Sequence, residues 1–354
     1  MPRLALVVIA RNEARCIARC LTSARPHVDA MIVLDTGSTD DTVAIAQACG
    51  ATVHAFTWCD DFAAARNAAL DHSDADWNLI LDADDWLEGD AAALGAATLP
   101  AAPAAARFVG CVRIVNQASA DQPVTRKFIP RVLPRGVRYE GRIHEQPVSP
   151  LPKVLLPLVL RHDGFEEPQL ARKAGRNEAI LRAEIAANPG NSYLWYQLGR
   201  EHLVREQPGD AADVLWTAHR TSDQATPYRH GIVIALAQAL KRAERFEEAL
   251  AFVDAEHMHW QHSPDFFFAV ADLYLEWASR RPEIAMSDLL PIVEGSWKRC
   301  LDIGEQPMLD GSTEGCGSHL AAQNLAMFYE SLGIDDDARF YAEMAAEMRG
   351  RLAA

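Results

Sequence analysis

The sequence predicts an α/β N-terminal domain built on a mostly parallel sheet, followed by an all-α domain of helical repeats. Three observations predict it. Apolar runs of strand length alternate with helix-period segments through roughly the first ninety residues. An Ala/Pro-rich stretch, residues 91–106, then interrupts the alternation. From about Pro168 no strand pattern remains, and Ala, Leu and Trp recur at spacings of three and four. At 354 residues the chain exceeds one ordinary core, and the change of pattern divides it into domains 1–166 and 167–354.

Residues 4–10 form a continuous apolar run, the first strand. Because Arg11, Asn12 and Glu13 follow at once, the run is not read as a signal peptide. Residues 13–23 carry Ile17, Cys20 and Leu21 at helical spacing, and residues 30–34 are a second strand ending at Asp35. Residues 41–49 read as a helix stopped by Gly50, residues 52–56 as a strand, and residues 62–71 as an Ala-rich helix. Residues 77–81 form a fourth strand running into acids. In such sheets ligands gather at the carboxyl ends of strands, where Asp35 and Asp82 fall. Residues 107–115, 124–133 and 153–160 extend the sheet with further strands, and Gly-containing turns flank residues 139–146.

In the second domain Trp195, Leu198, Gly199 and His202 fit the first helix of a tetratricopeptide repeat, with His in place of Tyr. Ala211, Leu215 and Ala218 fit its second helix. Ala237, Leu240 and Ala249 form a weaker copy, and Ala326, Tyr329, Ala338 and Ala345 return to the register. Residues 264–304 match poorly and predict longer helices. Stacked repeats make a curved surface suited to a peptide or protein segment, or to self-association into a homo-oligomer.

The net charge of -15 excludes the basic footprint that a nucleic-acid partner requires and disfavours docking on an anionic membrane. No segment approaches the ~18–20 apolar residues of a transmembrane helix. Seven scattered cysteines without a CxxC pair read as buried thiols of a reducing, cytoplasmic protein.

Four motifs carry chemistry. In Leu81-Asp82-Ala83-Asp84-Asp85, carboxylates on alternate residues of a strand end project to one side, so Asp82 and Asp84 share a ligand system in this reading. Hard oxygen ligands suit Mg2+ or Mn2+, which keep positions for phosphates. The turn from Asp35 through Gly37 opens a helix whose free amides favour anions. Ala10-Arg11-Asn12-Glu13 follows the first strand, with Arg11 a natural partner for phosphate or carboxylate. In Asp60-Asp61-Phe62-Ala63-Ala64-Ala65-Arg66-Asn67, Asp61 caps a helix that carries Arg66 toward a nucleotide or the Asp35 loop.

In this order and spacing, ARNE, LDTGSTDDT, DDFAAARNAAL and DWNLILDADD resemble the family 2 glycosyltransferases of the GT-A fold, a Rossmann-like mixed sheet. More narrowly they resemble the bacterial subgroup with tetratricopeptide repeats behind the transferase domain, which includes peptide S-glycosyltransferases. The resemblance implies an inverting, metal-assisted transfer from a nucleotide sugar, a UDP-sugar first among them, to a peptide or protein acceptor. It implies that Asp35 binds the nucleotide and that Asp82-Ala83-Asp84 is the DxD motif, with Asp84 on the metal and Asp82 near the ribose. Ile143-His144-Glu145 and His162-Asp163-Gly164-Phe165 also match the subgroup. Glu145 is the expected general base, His144 its alternative, His162 a further metal ligand, and Arg131 an added diphosphate contact. The chain lacks the E-D pair before a Q-x-x-R-W helix in which many members place their base. A glycan or small-molecule acceptor, or a non-catalytic repeat scaffold with a degenerate transferase domain, are the alternatives.

Overall fold

The structure, a computed structural model, describes residues 3–89, 91, 94, 95, 99, 107–116, 126–162 and 167–353. The chain forms two compact units, Met1–Ile180 and Leu181–Ala354. The expected boundary at 166/167 coincides with the start of helix α4 (Glu167–Ala187), and the compact units divide inside that helix.

The first unit holds strands β1 (Leu4–Ala10), β2 (Ala30–Asp35), β3 (Thr52–Ala55), β4 (Trp77–Asp82), β5 (Asp85–Glu88), β6 (Val109–Asn116), β7 (Arg126–Pro134), β8 (Arg138–Glu140), β9 (Gln146–Val148) and β10 (Lys153–His162). Helices α1 (Ile17–Ala24), α2 (Thr42–Ala48) and α3 (Phe62–Asp71) connect the early strands. The main sheet has the order β3-β2-β1-β4-β7-β6-β10-β5. Its first four strands are parallel, and β7 and β5 run antiparallel to their neighbours.

Alternation along β1 explains its uninterrupted hydrophobicity. Leu4, Leu6 and Val8 pack with Ile17 and Leu21 of α1 on one face. Ala5 and Val7 meet Ala65 and Ala69 of α3 on the other. A strand buried on both faces must be apolar throughout.

Three local expectations change. Helix α1 starts at Ile17 rather than at Glu13, because Asn12 turns the chain with a left-handed φ of 56° and residues 13–16 form a turn. Residues 139–146 are not a segment between two turns; they close a separate hairpin of β8 and β9, with Gly141 inside it at φ 96°.

The third change is β5. The sequence reads the acids after β4 as the end of a strand, yet Asp85 opens a new one. Only Ala83 and Asp84 separate β4 from β5, although the two strands lie four places apart in the sheet. Three Cα steps span at most about 11 Å. The sheet therefore curls until its far edge returns to β4, bringing the end of β10 to the acidic turn. His162 is the ladder partner of Asp85.

The second unit stacks helices α5 (Ser192–Val204), α6 (Pro208–Thr221), α7 (Arg229–Arg242), α8 (Phe246–Glu256), α9 (Pro264–Arg280), α10 (Pro282–Ile284), α11 (Leu290–Ile303), α12 (His319–Ser331) and α13 (Asp335–Ala353). Helices α5, α7, α9 and α12 pack against α6, α8, α11 and α13, giving the tetratricopeptide-like pairs. At the α5–α6 crossing a Cβ on Gly199 would overlap the Leu215 side chain, so the repeat's glycine is set by close helix approach. His202 is buried and its Nδ1 meets Gln207 Oε1 at 2.9 Å, a packing role. The poorly matching stretch contains the 17-residue α9, then α10 and a π turn at Ala285–Leu289 before α11.

Candidate active site

The loops after β1 and β2 are stitched together. Asn12 N–H donates to Ser38 Oγ (2.9 Å), Thr39 N–H to Asn12 Oδ1 (2.8 Å), and Glu13 N–H to Thr42 Oγ1 (2.8 Å). Asp35 accepts from the amides of Gly37 (3.2 Å) and Ser38 (3.1 Å), and Gly37 takes the φ of 101° that this tight turn needs. Asp61 caps α3 by accepting from Ala64 N–H at 2.8 Å.

Four strand ends open on a cleft of about 820 Å3, within the usual range of small-ligand sites. Ala10, Arg11, Glu13, Arg66, Asp82, Ala83, Asp84, His144, Glu145 and His162 line it, all singled out by the sequence. Asp35, Gly37, Asp61 and Arg131 do not line it. Trp58, Phe62, Arg176 and Asn177 do, without any sequence signal having picked them out. Arg176 stacks 5.0 Å over the Phe62 ring, and Phe62 meets Trp58 edge to face at 4.8 Å. The strand-end rule finds the acids; it is blind to a side chain delivered by a helix ninety residues on.

The pairing of carboxylates differs from the alternation argument. Asp82 does not share a ligand system with Asp84; it lies between two buried arginines. Arg66 Nη2 donates to its Oδ1 (2.5 Å) and Arg131 Nη2 to its Oδ2 (2.5 Å). Burial alone would raise the Asp82 pKa, but Arg131 and Arg66 hold it well below the ordinary carboxylate value. Arg131, expected on a diphosphate, is instead spent on Asp82 and on Asp85 Oδ2 (3.2 Å). Arg66 also binds Glu145 through Nε. Its guanidinium lies 5.4 Å over the ring of Tyr139, and among the described residues neither the buried Tyr139 hydroxyl nor Arg66 Nη1 has a hydrogen-bond partner.

Asp84, Asp85 and His162 form the acidic group that can hold a metal, each offering one ligand atom within 4.8 Å of the others. His162 Nδ1 lies 2.9 Å from Asp85 Oδ1 and 3.5 Å from Asp84 Oδ1. Asp85 is fully buried, and its Oδ2 also accepts from Asp82 N–H at 3.0 Å. Burial pushes the Asp85 pKa up, and the charge of Asp82 adds to the effect against the pull of Arg131. For His162 burial works downward, but the Asp85 hydrogen bond and the charge of Asp84 win, and its pKa is raised. The Asp84 carboxylate and the His162 imidazole suit a divalent cation of the Mn2+ kind, with Asp85 held against the ring. A carboxylate bound to the far nitrogen of a ligating histidine is the usual way such a ring is oriented. Asp85 was passed over in the sequence as the last letter of an acidic run; its burial gives it this role. Asp163, Gly164 and Phe165 lie outside the described residues.

Residues 5–143, within the first unit, match the family described as Glycosyl transferase family 2. The SPbeta prophage-derived glycosyltransferase SunS of Bacillus subtilis (strain 168) is 25% identical over 275 residues, 72% of this chain and 62% of that protein. A TPR repeat-containing protein of Synechococcus elongatus is 49% identical over 87 residues, 25% of this chain and 22% of that protein. The chain thus spans less than two thirds of the length of these relatives. Among solved structures, MamA is similar over 53% of this chain and 98% of its own (18% identity, TM-score 0.39). A Mycobacterium tuberculosis glucosyl-3-phosphoglycerate synthase, solved with Mn2+ and UDP, is similar over 33% and 45% (24% identity, TM-score 0.27).

Proposed function

We propose that this chain is an inverting glycosyltransferase that moves a sugar from a nucleotide sugar, a UDP-sugar first among them, to a peptide or protein acceptor. The observation that carries the reading is Asp82-Ala83-Asp84 opening, with His162, into a cleft of the family-matching unit, with Asp85 buried behind them. Asp84 and His162 would hold Mn2+ or Mg2+, with Nδ1 of His162 committed to Asp85 and coordination left to Nε2. The cation supplies Lewis-acid charge for a leaving diphosphate. Arg11 and Glu13 on the β1 loop would bind the donor at the cleft wall, and Asp35 with Gly37 would shape the nucleotide side from behind it. Asp82, neutralised by two arginines, is a fixed hydrogen-bond acceptor for a ribose hydroxyl rather than a metal ligand.

Glu145 would take the acceptor proton, its carboxylate oriented by Arg66 Nε; His144, adjacent in the same wall, is the alternative base. The repeats would present the polypeptide acceptor and could carry self-association. All seven cysteines are free, five of them buried as the sequence predicts, Cys49 half-buried and Cys59 exposed, and among the described residues no helix is long and apolar enough to cross a membrane. The test is sugar transfer and donor hydrolysis from a panel of nucleotide sugars, with and without Mn2+, for the wild type and Asp84→Asn. Wild-type rates in Asp84→Asn, or no turnover of any donor by the wild type, would overturn the reading.

A further inference from the structure

The connection between α11 and α12, residues 304–318, has no helix or strand of its own. Connections beyond about 12–15 residues of this kind are uncommon and usually functional. This one runs back along the first helices of three successive pairs. Asp310 accepts at its carbonyl from His230 Nδ1 of α7 (2.6 Å) and at Oδ2 from the Tyr196 hydroxyl of α5 (3.4 Å). Thr313 N–H donates to Asp265 Oδ1 at the start of α9 (2.6 Å). Between these points Gly311 lies on Gly231, and a Cβ on it would stand 2.9 Å from the Gly231 Cα. A Cβ on Gly231 would in turn strike Tyr196 and Asp310.

Two of these polar attachments use main-chain groups, and between them the segment is folded into successive turns, Leu309 N–H donating to the Gln306 carbonyl (3.2 Å) and Ser312 N–H to that of Leu309 (3.1 Å). The side-chain requirements are an acid facing Tyr196 and, next to it, a residue without a Cβ. His230 serves in its neutral form, Nδ1–H given to the carbonyl and Nε2 receiving the Ser263 hydroxyl at 2.7 Å. The segment is anchored unevenly. Its base at Gly315, Cys316 and Gly317 is buried, while at its apex Met308 is 62% exposed.

We infer that the surface formed by Tyr196, His230, Gly231 and Asp265 is a peptide-binding groove for a turn-forming segment carrying an acidic residue followed by glycine, and that residues 306–313 of the chain occupy it as a displaceable internal ligand. Occupancy by the apex and binding of such a peptide are then mutually exclusive, and release of the apex frees the groove. The inference goes beyond the polypeptide-acceptor reading by giving the repeat domain a recognition pattern. Binding is read without donor or turnover, so loss of either idea leaves the other standing.

The probe is a fluorescently labelled peptide of the chain's own sequence, Gln-Pro-Met-Leu-Asp-Gly-Ser-Thr-Glu-Gly, titrated with the full chain by polarisation. Gly311→Ala forces a Cβ at φ 73° against Gly231 and lifts the apex. It is expected to bind the probe at least about tenfold more tightly than the wild type, a gain of ~1.4 kcal/mol. Amide exchange across residues 306–313 should quicken, and a probe with Asp-Ala in place of Asp-Gly should fail to bind. Replacing residues 307–312 by six serines removes the internal ligand by a second route and should give the same gain. No tighter binding in a folded variant overturns the inference. So does failure of both variants to fold, which would make the segment a structural staple.

Discussion

Asp82 and Glu145 are bound to the same planar cation, Arg66, which donates from Nη2 to the end of β4 and from Nε to the turn between β8 and β9. A guanidinium makes this bridge because its donors are fixed in one plane; an ammonium is a single point of charge. Arg66→Met should therefore cost the first unit about 3 kcal/mol, since it leaves the half-buried Glu145 without its partner and Asp82 with one arginine instead of two. Arg66→Lys should recover only part of that loss. Chemical denaturation followed by a probe in the first unit checks both.

The metal group separates two kinds of loss. Asp84→Asn removes a ligand and should abolish Mn2+-stimulated turnover. Asp85→Asn keeps the shape of the side chain but weakens its hold on His162, and should lower metal affinity about 10- to 100-fold while leaving a saturable response. Metal titrations of donor hydrolysis distinguish the two, and identical behaviour would remove the orienting role from Asp85.

Gly199→Ala should destabilise the second unit by ~1–3 kcal/mol, because the added methyl meets Leu215. Leu215→Ala alone should cost about 2–5 kcal/mol by leaving a cavity. In the double variant the two penalties should fall short of their sum, since each relieves the other. Thermal melts of the four proteins give the cycle.

Two buried carboxyls in the second unit respond oppositely to pH. Glu256 accepts from His219 Nε2 (2.8 Å), Trp260 Nε1 (2.8 Å) and Arg229 Nη2 (3.2 Å). Burial raises its pKa, but these partners outweigh it and bring it to about 2 from 4.5. Its stabilisation is present above pH 4.5 and is lost as pH falls toward about 2, a change of order 3 kcal/mol. Asp265 is pushed up to about 6 from 3.8, chiefly by burial. Its contribution is full below pH 3.8 and lost as pH rises through about 6. Glu256→Gln should flatten the acid limb of the stability curve, and Asp265→Asn the limb between pH 4 and 6, as urea midpoints against pH will report.

Much of this was legible in the chain. Unbroken apolar runs such as residues 4–10 can only be strands covered on both faces, and Asp61 before an Ala-rich run can hardly fail to cap it. The cleft acids follow because ligands collect where parallel strands end. What period and propensity cannot report is which charge answers which. Asp82 and Arg131 are adjacent only because β7 pairs with β4, a long-range choice with no local mark. The same applies to Asp85, whose letter is identical to Asp84 but whose strand lies at the other edge of the sheet. Arg176 arrives from a helix beyond the change from mixed to all-helical pattern, and the groove under residues 304–318 depends on a loop crossing three helices.

The two-residue link between β4 and β5 makes the acidic motif intolerant of insertion as well as of substitution. One added residue would slide β5 along β10 by a single position. Side chains alternate across a strand, so Leu87 would turn outward and Trp86 inward, and Asp85 would leave its place opposite His162. A variant with one alanine inserted after Ala83 would keep every residue of Asp82-Ala83-Asp84-Asp85 and lose their register.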